Sequence, residues 1–369
     1  MKLEMYVPCL FGLEGPVAAQ LRKMGIADVR AENGRVRFSG TEADMARANI
    51  CLRCGERVLI ELGNFRAETF EELFQGVKAL PLEQFIPKDG AFPVKGHSLD
   101  SALHSVPDCQ RIIKKAAAER LGAKYGTGWL AESGETYQLQ FAIMKDQVSL
   151  CLDTTGAGLH KRGYRPAHVA APLRETLAAA MVGFAGYRGR EDFCDPFCGS
   201  GTIAIEAALA AKNRAPGLMR SFSAQKWSCF GGKIWAQAED EARSKEFSGD
   251  YRIFASDIDP KAVAMSRQNA ARAGVDDIIR FEVADAMSFS RTTENGLIVT
   301  NPPYGERLME KKQAEELYAG FGRAVRGLEN WKIYLLSSHT EFERAFGAQA
   351  DKKRKLYNGM IKCELYMYQ

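Results

Sequence analysis

Asn301, Pro302, Pro303 and Tyr304 place an amide, a rigid corner and an aromatic ring side by side. They follow the apolar run 296–300, which is typical of a short buried strand. Neither proline can donate a hydrogen bond to a neighbouring strand, so the strand ends there. In open α/β sheets, ligands bind at the carboxyl ends of the strands. Alone, this stretch fits equally well a Pro-Pro turn with a capping Asn, so the rest of the chain must decide.

Three acidic residues follow three other predicted strands of the second half, which alternates strand and helix and therefore predicts a mostly parallel sheet. Asp195 comes directly after the strand at 192–194, Asp257 comes directly after the strand at 251–256, and Asp285 follows the strand at 279–283. The carboxyl ends of parallel strands share one edge of the sheet. Each acid alone is more often a helix cap, but the ordered set indicates a ligand site.

The glycines Gly199 and Gly201, between a strand and a helix, allow the backbone to approach a ligand closely. With Ala204 their spacing also fits the dinucleotide fingerprint G-x-G-x-x-A. A dinucleotide site needs an acid about 20 residues later, and 217–222 contains none. A carboxylate at Asp195 also repels pyrophosphate, whereas it suits an ammonium group.

S-adenosylmethionine fits this set of side chains, because it carries an amino-acid group, a ribose diol and an adenine but no phosphate. Asp195 can accept a hydrogen bond from its amino group, and Asp257 can accept from both ribose hydroxyls. Asp285 can accept from the adenine amine, and the Ala286 amide can donate to a ring nitrogen. The sequence therefore predicts S-adenosylmethionine as the cofactor.

Cationic residues of the first half and of the connection 156–172 are candidates for contact with RNA. The candidates are Lys95, Arg111, Lys114, Lys161, Arg162 and Arg165. The last three flank Tyr164, and basic residues interleaved with an aromatic ring suit phosphates and unpaired bases. A solvated helix face and an ordinary basic linker remain alternatives. A second cluster, Lys352–Lys355 beside Tyr357, is predicted to be a solvated loop, with RNA contact as the alternative.

Composition limits the remaining classes. The 369 residues carry a formal net charge of +4, which permits a nucleic-acid partner without requiring one. The nine cysteines are scattered, and Cys51 and Cys54 form a lone CxxC, so we expect reduced thiols, a cytoplasmic location and no metal site. No apolar run approaches the ~20 residues of a membrane span, and we expect neither a signal peptide nor a membrane partner.

The segments 195–202, 257–259 and 301–304, together with Asp285, resemble the class I S-adenosylmethionine methyltransferases. In that group Asn-Pro-Pro-Tyr marks members that methylate exocyclic amines of bases. The segments 159–165, 171–177 and 301–307 look like those of the bacterial 23S rRNA guanine-N2 methyltransferases. The first half resembles a ferredoxin-like piece followed by a THUMP RNA-binding domain.

The resemblance implies an α/β architecture. Residues 1–60 are expected to form the ferredoxin-like domain, 61–155 the THUMP domain, 156–172 a linker and 173–369 a Rossmann-like domain. That domain should contain a mostly parallel seven-stranded sheet with a terminal antiparallel hairpin, and its first helix, from Pro172, should cover the cofactor. The expected cofactor-binding residues are Asp195, Phe197, Gly199, Gly201, Thr202, Asp257, Asp285, Ala286 and Asn301. The chain is expected to be a monomer.

The expected catalytic residues are Asn301, Pro302 and Tyr304. The Asn301 side-chain oxygen and the Pro302 carbonyl accept hydrogen bonds from the exocyclic amine, and the Tyr304 ring stacks on the target base. The leading hypothesis is methylation of guanine N2 in 23S rRNA. A tRNA guanine-N2 methyltransferase, a DNA adenine-N6 methylase and a non-catalytic RNA-binding protein are the alternatives. The segment 212–250 is an insertion with an open role.

Overall fold

The computed structural model describes residues 1–166, 173–304 and 311–369. Its strands are β1 (Leu3–Pro8), β2 (Val29–Glu32), β3 (Arg35–Gly40), β4 (Leu59–Arg66), β5 (Val94–Leu99), β6 (Leu139–Met144), β7 (Gln147–Asp153), β8 (Asp192–Asp195), β9 (Ile253–Asp257), β10 (Ile279–Val283), β11 (Gly296–Thr300), β12 (Trp331–Ser337), β13 (Lys352–Asn358) and β14 (Ile361–Tyr368). Its α-helices are α1 (Glu14–Lys23), α2 (Glu42–Cys51), α3 (Phe70–Lys78), α4 (Val106–Tyr125), α5 (Glu175–Phe184), α6 (Thr202–Ala211), α7 (Gly232–Ser244), α8 (Pro260–Ala273), α9 (Lys311–Val325) and α10 (Phe342–Phe346).

The first half is built on one sheet with the strand order β2-β3-β1-β4-β7-β6-β5. β2 and β3 form an antiparallel hairpin that turns at Asn33-Gly34, a residue pair typical of hairpin turns. β4 pairs with β1 on one side and with β7 on the other, both antiparallel. The two predicted N-terminal units, 1–60 and 61–155, therefore share a continuous sheet, and β4 connects them.

The second half contains the sheet that positions the candidate site. Its strand order is β10-β9-β8-β11-β12-β14-β13. β8 pairs in parallel with both β9 and β11, whereas β14 is antiparallel to β12 and to β13. This is the predicted mostly parallel sheet of seven strands with a terminal antiparallel hairpin. All five residues of β11 are buried, as expected for a strand covered on both faces.

One prediction about a surface segment needs correction. Lys352–Lys355 does not form a solvated loop, because it is the first half of β13 and pairs with β14 from Lys352 to Asn358. The first helix of the Rossmann-like domain was predicted to start at Pro172, which lies outside the described residues. In the described residues this helix is α5, which begins at Glu175.

The segment 212–250 packs against the first half of the chain. It forms α7 and two 3-10 turns, Pro216–Met219 and Ser223–Lys226. The Trp227 ring stacks on Tyr137 with centroids 4.7 Å apart, and its Nε1 donates to the Thr136 carbonyl at 3.0 Å. Buried residues from both halves belong to one continuous hydrophobic cluster. The insertion therefore helps to fix the catalytic domain to the N-terminal half.

None of the nine cysteines, all of which lie in the described ranges, forms a disulfide, and this includes Cys51 and Cys54. Over residues 1–166, 173–304 and 311–369, no group of His, Cys, Asp and Glu side chains has the arrangement of a metal site. None of the helices in these same ranges is long and apolar enough to span a bilayer.

Candidate active site

Asp195 lies at the carboxyl end of β8 and is buried, with 1% of its surface exposed. Its Oδ1 accepts hydrogen bonds from the Thr300 hydroxyl at 2.6 Å and from the Phe197 amide at 3.4 Å. Within the described residues, its Oδ2 accepts none. Burial raises the pKa of Asp195 to about 7, although these two hydrogen bonds oppose the shift. A cationic group placed against Oδ2 would restore the ionised form.

The glycine loop after Asp195 joins this strand end to the next one. Gly199 has a φ of +51°, and nothing lies within 4 Å of the position a Cβ would take. Its amide donates to Asp257 Oδ2 at 2.9 Å, and the Asp259 amide donates to Oδ1 at 3.0 Å. The loop therefore leaves open space beside two carboxylates at adjacent strand ends.

The other predicted loop residues have structural contacts of their own. A Cβ on Gly201, whose φ is +81°, would lie 2.1 Å from the Ser266 hydroxyl, so α8 requires the glycine. The Phe197 ring packs edge-on against Phe321, with centroids 5.2 Å apart. Thr202 is buried, and its hydroxyl lies 3.1 Å from that of Ser200.

Asp285 lies two residues beyond β10, where its Oδ1 accepts from the Met287 amide at 2.9 Å. Ala286 is buried beside it. Three apolar side chains that our sequence reasoning missed are exposed at the same strand ends: Ile258, Val283 and Met287, with exposed fractions of 69%, 57% and 45%. Exposed apolar side chains next to hydrogen-bonding groups suit a flat heteroaromatic ring. Their position within two residues of Asp257 or Asp285 was the available sequence signal.

The Asn-Pro-Pro-Tyr segment begins where β11 ends, next to Asp195. Thr300, the residue before Asn301, donates from its hydroxyl to Asp195, so Asp195 is connected directly to the start of this segment. The Pro303 carbonyl accepts from the Tyr318 hydroxyl at 2.5 Å, which fixes the corner against α9. No hydrogen bond to the Pro302 carbonyl forms within the described residues. The corner is rigid and leaves that carbonyl available.

Tyr304 does not have the environment predicted for a stacking ring. It packs against the core, and its hydroxyl donates to Asn301 Oδ1. Cys363 Sγ donates to the same hydroxyl at 3.8 Å. Burial raises the pKa of the Tyr304 phenol well above its usual value. In this conformation the Tyr304 hydroxyl is hydrogen-bonded to Asn301 Oδ1, the oxygen that is predicted to accept from the target amine. The following residues, including Arg307 of the resemblance, lie outside the described residues.

The prediction that Arg162 contacts RNA is wrong. Its side chain is only 1% exposed and forms an ion pair with Glu206 of α6, with Nε 3.2 Å from Oε1. It also donates to the Leu159 carbonyl at 2.9 Å and to the Arg53 carbonyl at 2.5 Å. Arg162 therefore connects the linker, the N-terminal half and the catalytic domain from inside the protein.

Two neighbours of Arg162 are also turned inward. Tyr164 is 1% exposed, so its ring cannot stack on a base. Arg165, with a side chain 10% exposed, pairs with Glu175 at 2.5 Å and donates to the Leu173 carbonyl at 3.1 Å. Its predicted RNA contact is wrong as well, because its charge is already neutralised at the start of α5.

The other predicted RNA contacts lie on the surface. Lys95 and Lys161 are exposed, and Arg111 is 77% exposed although it pairs with Asp108 of its own helix. Lys114 is more engaged, because its ammonium lies 2.5 Å from Glu132 and 3.5 Å from the centre of the Phe92 ring. Across the described ranges, no hydrogen bond or ion pair connects any of these four side chains to the strand ends of the candidate site.

Three family descriptions match consecutive parts of the chain: an RlmL ferredoxin-like domain at residues 4–59, a THUMP domain at 67–153, and an RMKL-like methyltransferase domain at 162–367. YpsC of Bacillus subtilis (strain 168), named as a candidate RNA methyltransferase, is 45% identical over 360 residues, which are 97% of this chain and 93% of YpsC. The ribosomal RNA large subunit methyltransferase K/L of Psychromonas ingrahamii is 32% identical over 99% of this chain. The chain spans 50% of that relative's length.

Two solved structures superpose on the whole chain. One is a protein of Listeria monocytogenes that is named, on the basis of prediction, as an N6-adenine-specific DNA methylase. It has a TM-score of 0.95 at 42% identity and covers 100% of this chain and 96% of its own. The other is SMU.472, named as a candidate methyltransferase and solved in complex with SAH. It has a TM-score of 0.95 at 37% identity and covers 100% and 98%.

The buried Asp195 with its open oxygen, the open space at Gly199 and the exposed apolar side chains fit S-adenosylmethionine. SAH, found with SMU.472, is the product that S-adenosylmethionine leaves after methyl transfer. The chain therefore belongs to the RMKL-like methyltransferase family, as a class I, S-adenosylmethionine-dependent methyltransferase in which ferredoxin-like and THUMP domains precede the catalytic domain.

Proposed function

We propose that this protein methylates the exocyclic N2 amine of a guanine in RNA, with 23S rRNA as the substrate. The observation that carries the proposal is the direct connection between Asp195 and the base-binding segment through Thr300, at 2.6 Å. Through this hydrogen bond the Asp195 carboxylate, which we propose as the acceptor for the cofactor amino group, is connected to the residue before the Asn301-Pro302 corner. The THUMP domain and the rRNA methyltransferases among the relatives support RNA as the substrate.

The cofactor supplies a methyl group that its sulfonium already activates. In our proposal Asp195 Oδ2 accepts from the cofactor amino group, and the open space at Gly199 accommodates its amino-acid part. Asp257 accepts from the ribose hydroxyls, while Asp285 and the Ala286 amide bind the edge of the adenine. Ile258 and Met287 cover the faces of that ring.

The target amine is a poor nucleophile, because its lone pair is delocalised into the base. Acceptors at Asn301 Oδ1 and the Pro302 carbonyl draw its hydrogens toward the corner, which directs the nitrogen lone pair toward the methyl group. The corner is held by Tyr318 and by the two prolines, so little reorganisation is needed at reaction. Transfer is direct, with no covalent enzyme intermediate: the bond from nitrogen to the methyl carbon forms as the carbon–sulfur bond breaks, SAH leaves, and the amine releases one proton to solvent.

Tyr304 must leave Asn301 Oδ1 before the amine can bind there, because its hydroxyl donates to that oxygen. In our proposal its ring then stacks on the extruded base. The incoming amine replaces the phenol as donor, so the number of hydrogen bonds to Asn301 is conserved.

A DNA adenine-N6 methylase remains the second candidate, since Asn-Pro-Pro-Tyr serves adenine and guanine amines alike and one structural neighbour is named as such an enzyme. A tRNA guanine is the third. Incubation with labelled S-adenosylmethionine and protein-free 23S rRNA, tRNA or genomic DNA separates them. We expect label in 23S rRNA as N2-methylguanine, with the same nucleotide missing from rRNA of cells that lack the protein. Label in adenine of DNA would refute the proposal.

A further inference from the structure

The edge strand β13 carries a run of four cations, Lys352, Lys353, Arg354 and Lys355, all with exposed side chains. β13 is the last strand of the catalytic sheet and pairs with β14 alone. Lys353 forms an ion pair with Glu343 at 2.7 Å, and Lys355 lies opposite Glu364. Within the described residues, no carboxylate lies at ion-pair distance from Lys352 or Arg354.

One end of β13 reaches the candidate active site. Leu356 pairs with Cys363 of β14, and Cys363 donates to the Tyr304 hydroxyl. The Tyr357 ring contacts Phe11 of the N-terminal half, with centroids 6.3 Å apart. The strand therefore runs along the sheet edge from the base-binding segment, beside the junction of the two halves.

The basic part of β13 lies against a groove. The Arg354 guanidinium lies 4.2 Å from the centre of the Phe184 ring. Phe184 lines a groove of about 730 Å³ between α1, α5 and α7. The residues 184–190 precede β8, so the groove lies at the edge of the sheet opposite the cofactor acids.

This groove is strongly positive. Its cationic lining residues are Lys23, Arg47, Arg53, Arg188, Arg190 and Lys245. One carboxylate, Glu241, accompanies them, and both Arg47 and Lys245 pair with it, at 3.8 and 2.5 Å. Across the described ranges, Lys23, Arg188 and Arg190 have exposed side chains and form no ion pair.

Two further features indicate a ligand. The Arg53 Nη1 atom is buried without a hydrogen-bond partner in the described structure, although Arg53 lines the groove. Phe247, also in the lining, is 61% exposed. Arg53 Nη2 donates to the Leu209 and Arg214 carbonyls, so of its two terminal nitrogens only Nη1 lacks a partner within the described residues. Guanidinium groups beside an exposed ring suit phosphates and bases.

The length of the surface decides between a small anion and a polymer. The four cations of β13, Lys352 to Lys355, span ~10 Å at about 3.3 Å per residue, and the cations that line the groove extend the positive surface beyond Arg354. No small anion contacts cations over that distance, whereas a sugar-phosphate backbone does. Lysines on an edge strand also prevent pairing with other chains, but that role requires no cations in the groove.

We propose that β13 and the groove bind the RNA backbone that flanks the target base, from Tyr304 to Arg188 and Arg190. This inference rests on the proposed action on RNA. It assigns substrate binding to the catalytic domain in addition to the THUMP domain.

The test compares three double variants of the full chain: Lys352→Glu with Arg354→Glu on β13, Arg188→Glu with Arg190→Glu in the groove, and Arg272→Glu with Arg280→Glu as a matched control. The control residues are exposed and belong to α8 and β10, at the opposite edge of the same sheet. Glutamate still blocks edge pairing, so a role limited to edge protection predicts no change in RNA binding.

Filter binding of transcribed 23S rRNA at increasing salt measures the RNA affinity of each variant. We expect each of the first two variants to weaken binding about tenfold and to reduce the slope of log K against log salt by ~1.5, the loss of two phosphate contacts. The KM for RNA should rise while kcat at saturating RNA stays unchanged. Wild-type affinity in both variants, or an equal loss in the control, would overturn the inference. If wild-type protein binds the rRNA without methylating it, the proposed function fails, and the binding comparison still decides this inference.

Discussion

We predicted functional roles for charged residues in two regions, the carboxyl edge of the catalytic sheet and the linker before α5. The structure places the charged residues of these two regions differently. Asp195, Asp257 and Asp285 all lie at or just beyond adjacent strand ends. Arg162 and Arg165 are instead paired with Glu206 and Glu175 inside the protein. The same type of signal was informative in one region and misleading in the other.

The difference has a physical origin. A strand fixes the direction of the residue that ends it, so three acids after three parallel strands must share an edge. A connection between domains has no such constraint, and its exposure depends on whether the domains pack together. Here they do, and burial of Arg162 requires its pairing with Glu206. Substitutions in the two regions should therefore have different consequences, for stability in the linker and for cofactor binding at the sheet edge.

Removing the buried cation should have the largest effect. Arg162→Ala leaves the Glu206 carboxylate buried without its partner, which should destabilise the protein by about 3–5 kcal/mol. Urea-induced unfolding measures the change, with Lys161→Ala as the matched control, because Lys161 is exposed and should change stability by less than about 0.5 kcal/mol. An Arg162→Ala protein of normal stability and reduced RNA affinity would restore the rejected prediction.

Asp195→Asn should weaken cofactor binding about 10- to 100-fold, because a charge-assisted hydrogen bond to the cofactor amino group becomes a neutral one. Titration calorimetry with SAH measures the affinity. Since Asn keeps an oxygen that can accept from Thr300, the fold should be retained. Unchanged affinity in a folded variant would remove Asp195 from the cofactor site.

Cofactor affinity should also depend on pH through Asp195. Burial raises its pKa to about 7, so the ligand-free carboxyl is largely protonated below that pH. Binding of an ammonium group favours the ionised form, so affinity should fall as the pH decreases below about 7, by at most tenfold per pH unit, and stay level above it. Calorimetry across pH 5–8 in ~0.1 M buffer tests this, and Asp195→Asn should remove the dependence.

Met287→Ala and Ile258→Ala should each weaken cofactor binding by about 1 kcal/mol, a fivefold change, through lost contact with the adenine face. Their effect on stability should be small, because both side chains are exposed. Leu99→Ala, at a side chain 55% exposed in the first half, is the control for general effects of truncation. Affinity equal to that of the control would place adenine elsewhere.

The strand ends could be predicted because local signals agreed there. Apolar runs ended at Asp195, Asp257 and Thr300. Lys352–Lys355 was misjudged because four consecutive cations have low strand propensity, and pairing with β14 decides their conformation. The pairing of β4 with both β1 and β7, and the packing of 212–250 on the first half, are long-range contacts that leave no local pattern.

Within the site, the hydrogen bond between Tyr304 and Asn301 was also beyond sequence reasoning, since it depends on a side-chain rotation. The sequence predicted a ring that stacks on the base. It carried no information on whether the hydroxyl would bind Asn301 Oδ1 when no base is present.

Single-turnover methyl transfer by Asn301→Ala, at saturating cofactor and with 23S rRNA, tests the central claim most directly. The proposed mechanism predicts a loss on the order of 10²–10³ in rate, because one acceptor that directs the amine is removed. SAH affinity, measured on the same protein, confirms that the cofactor site remains intact. Normal turnover with normal SAH affinity would contradict the mechanism.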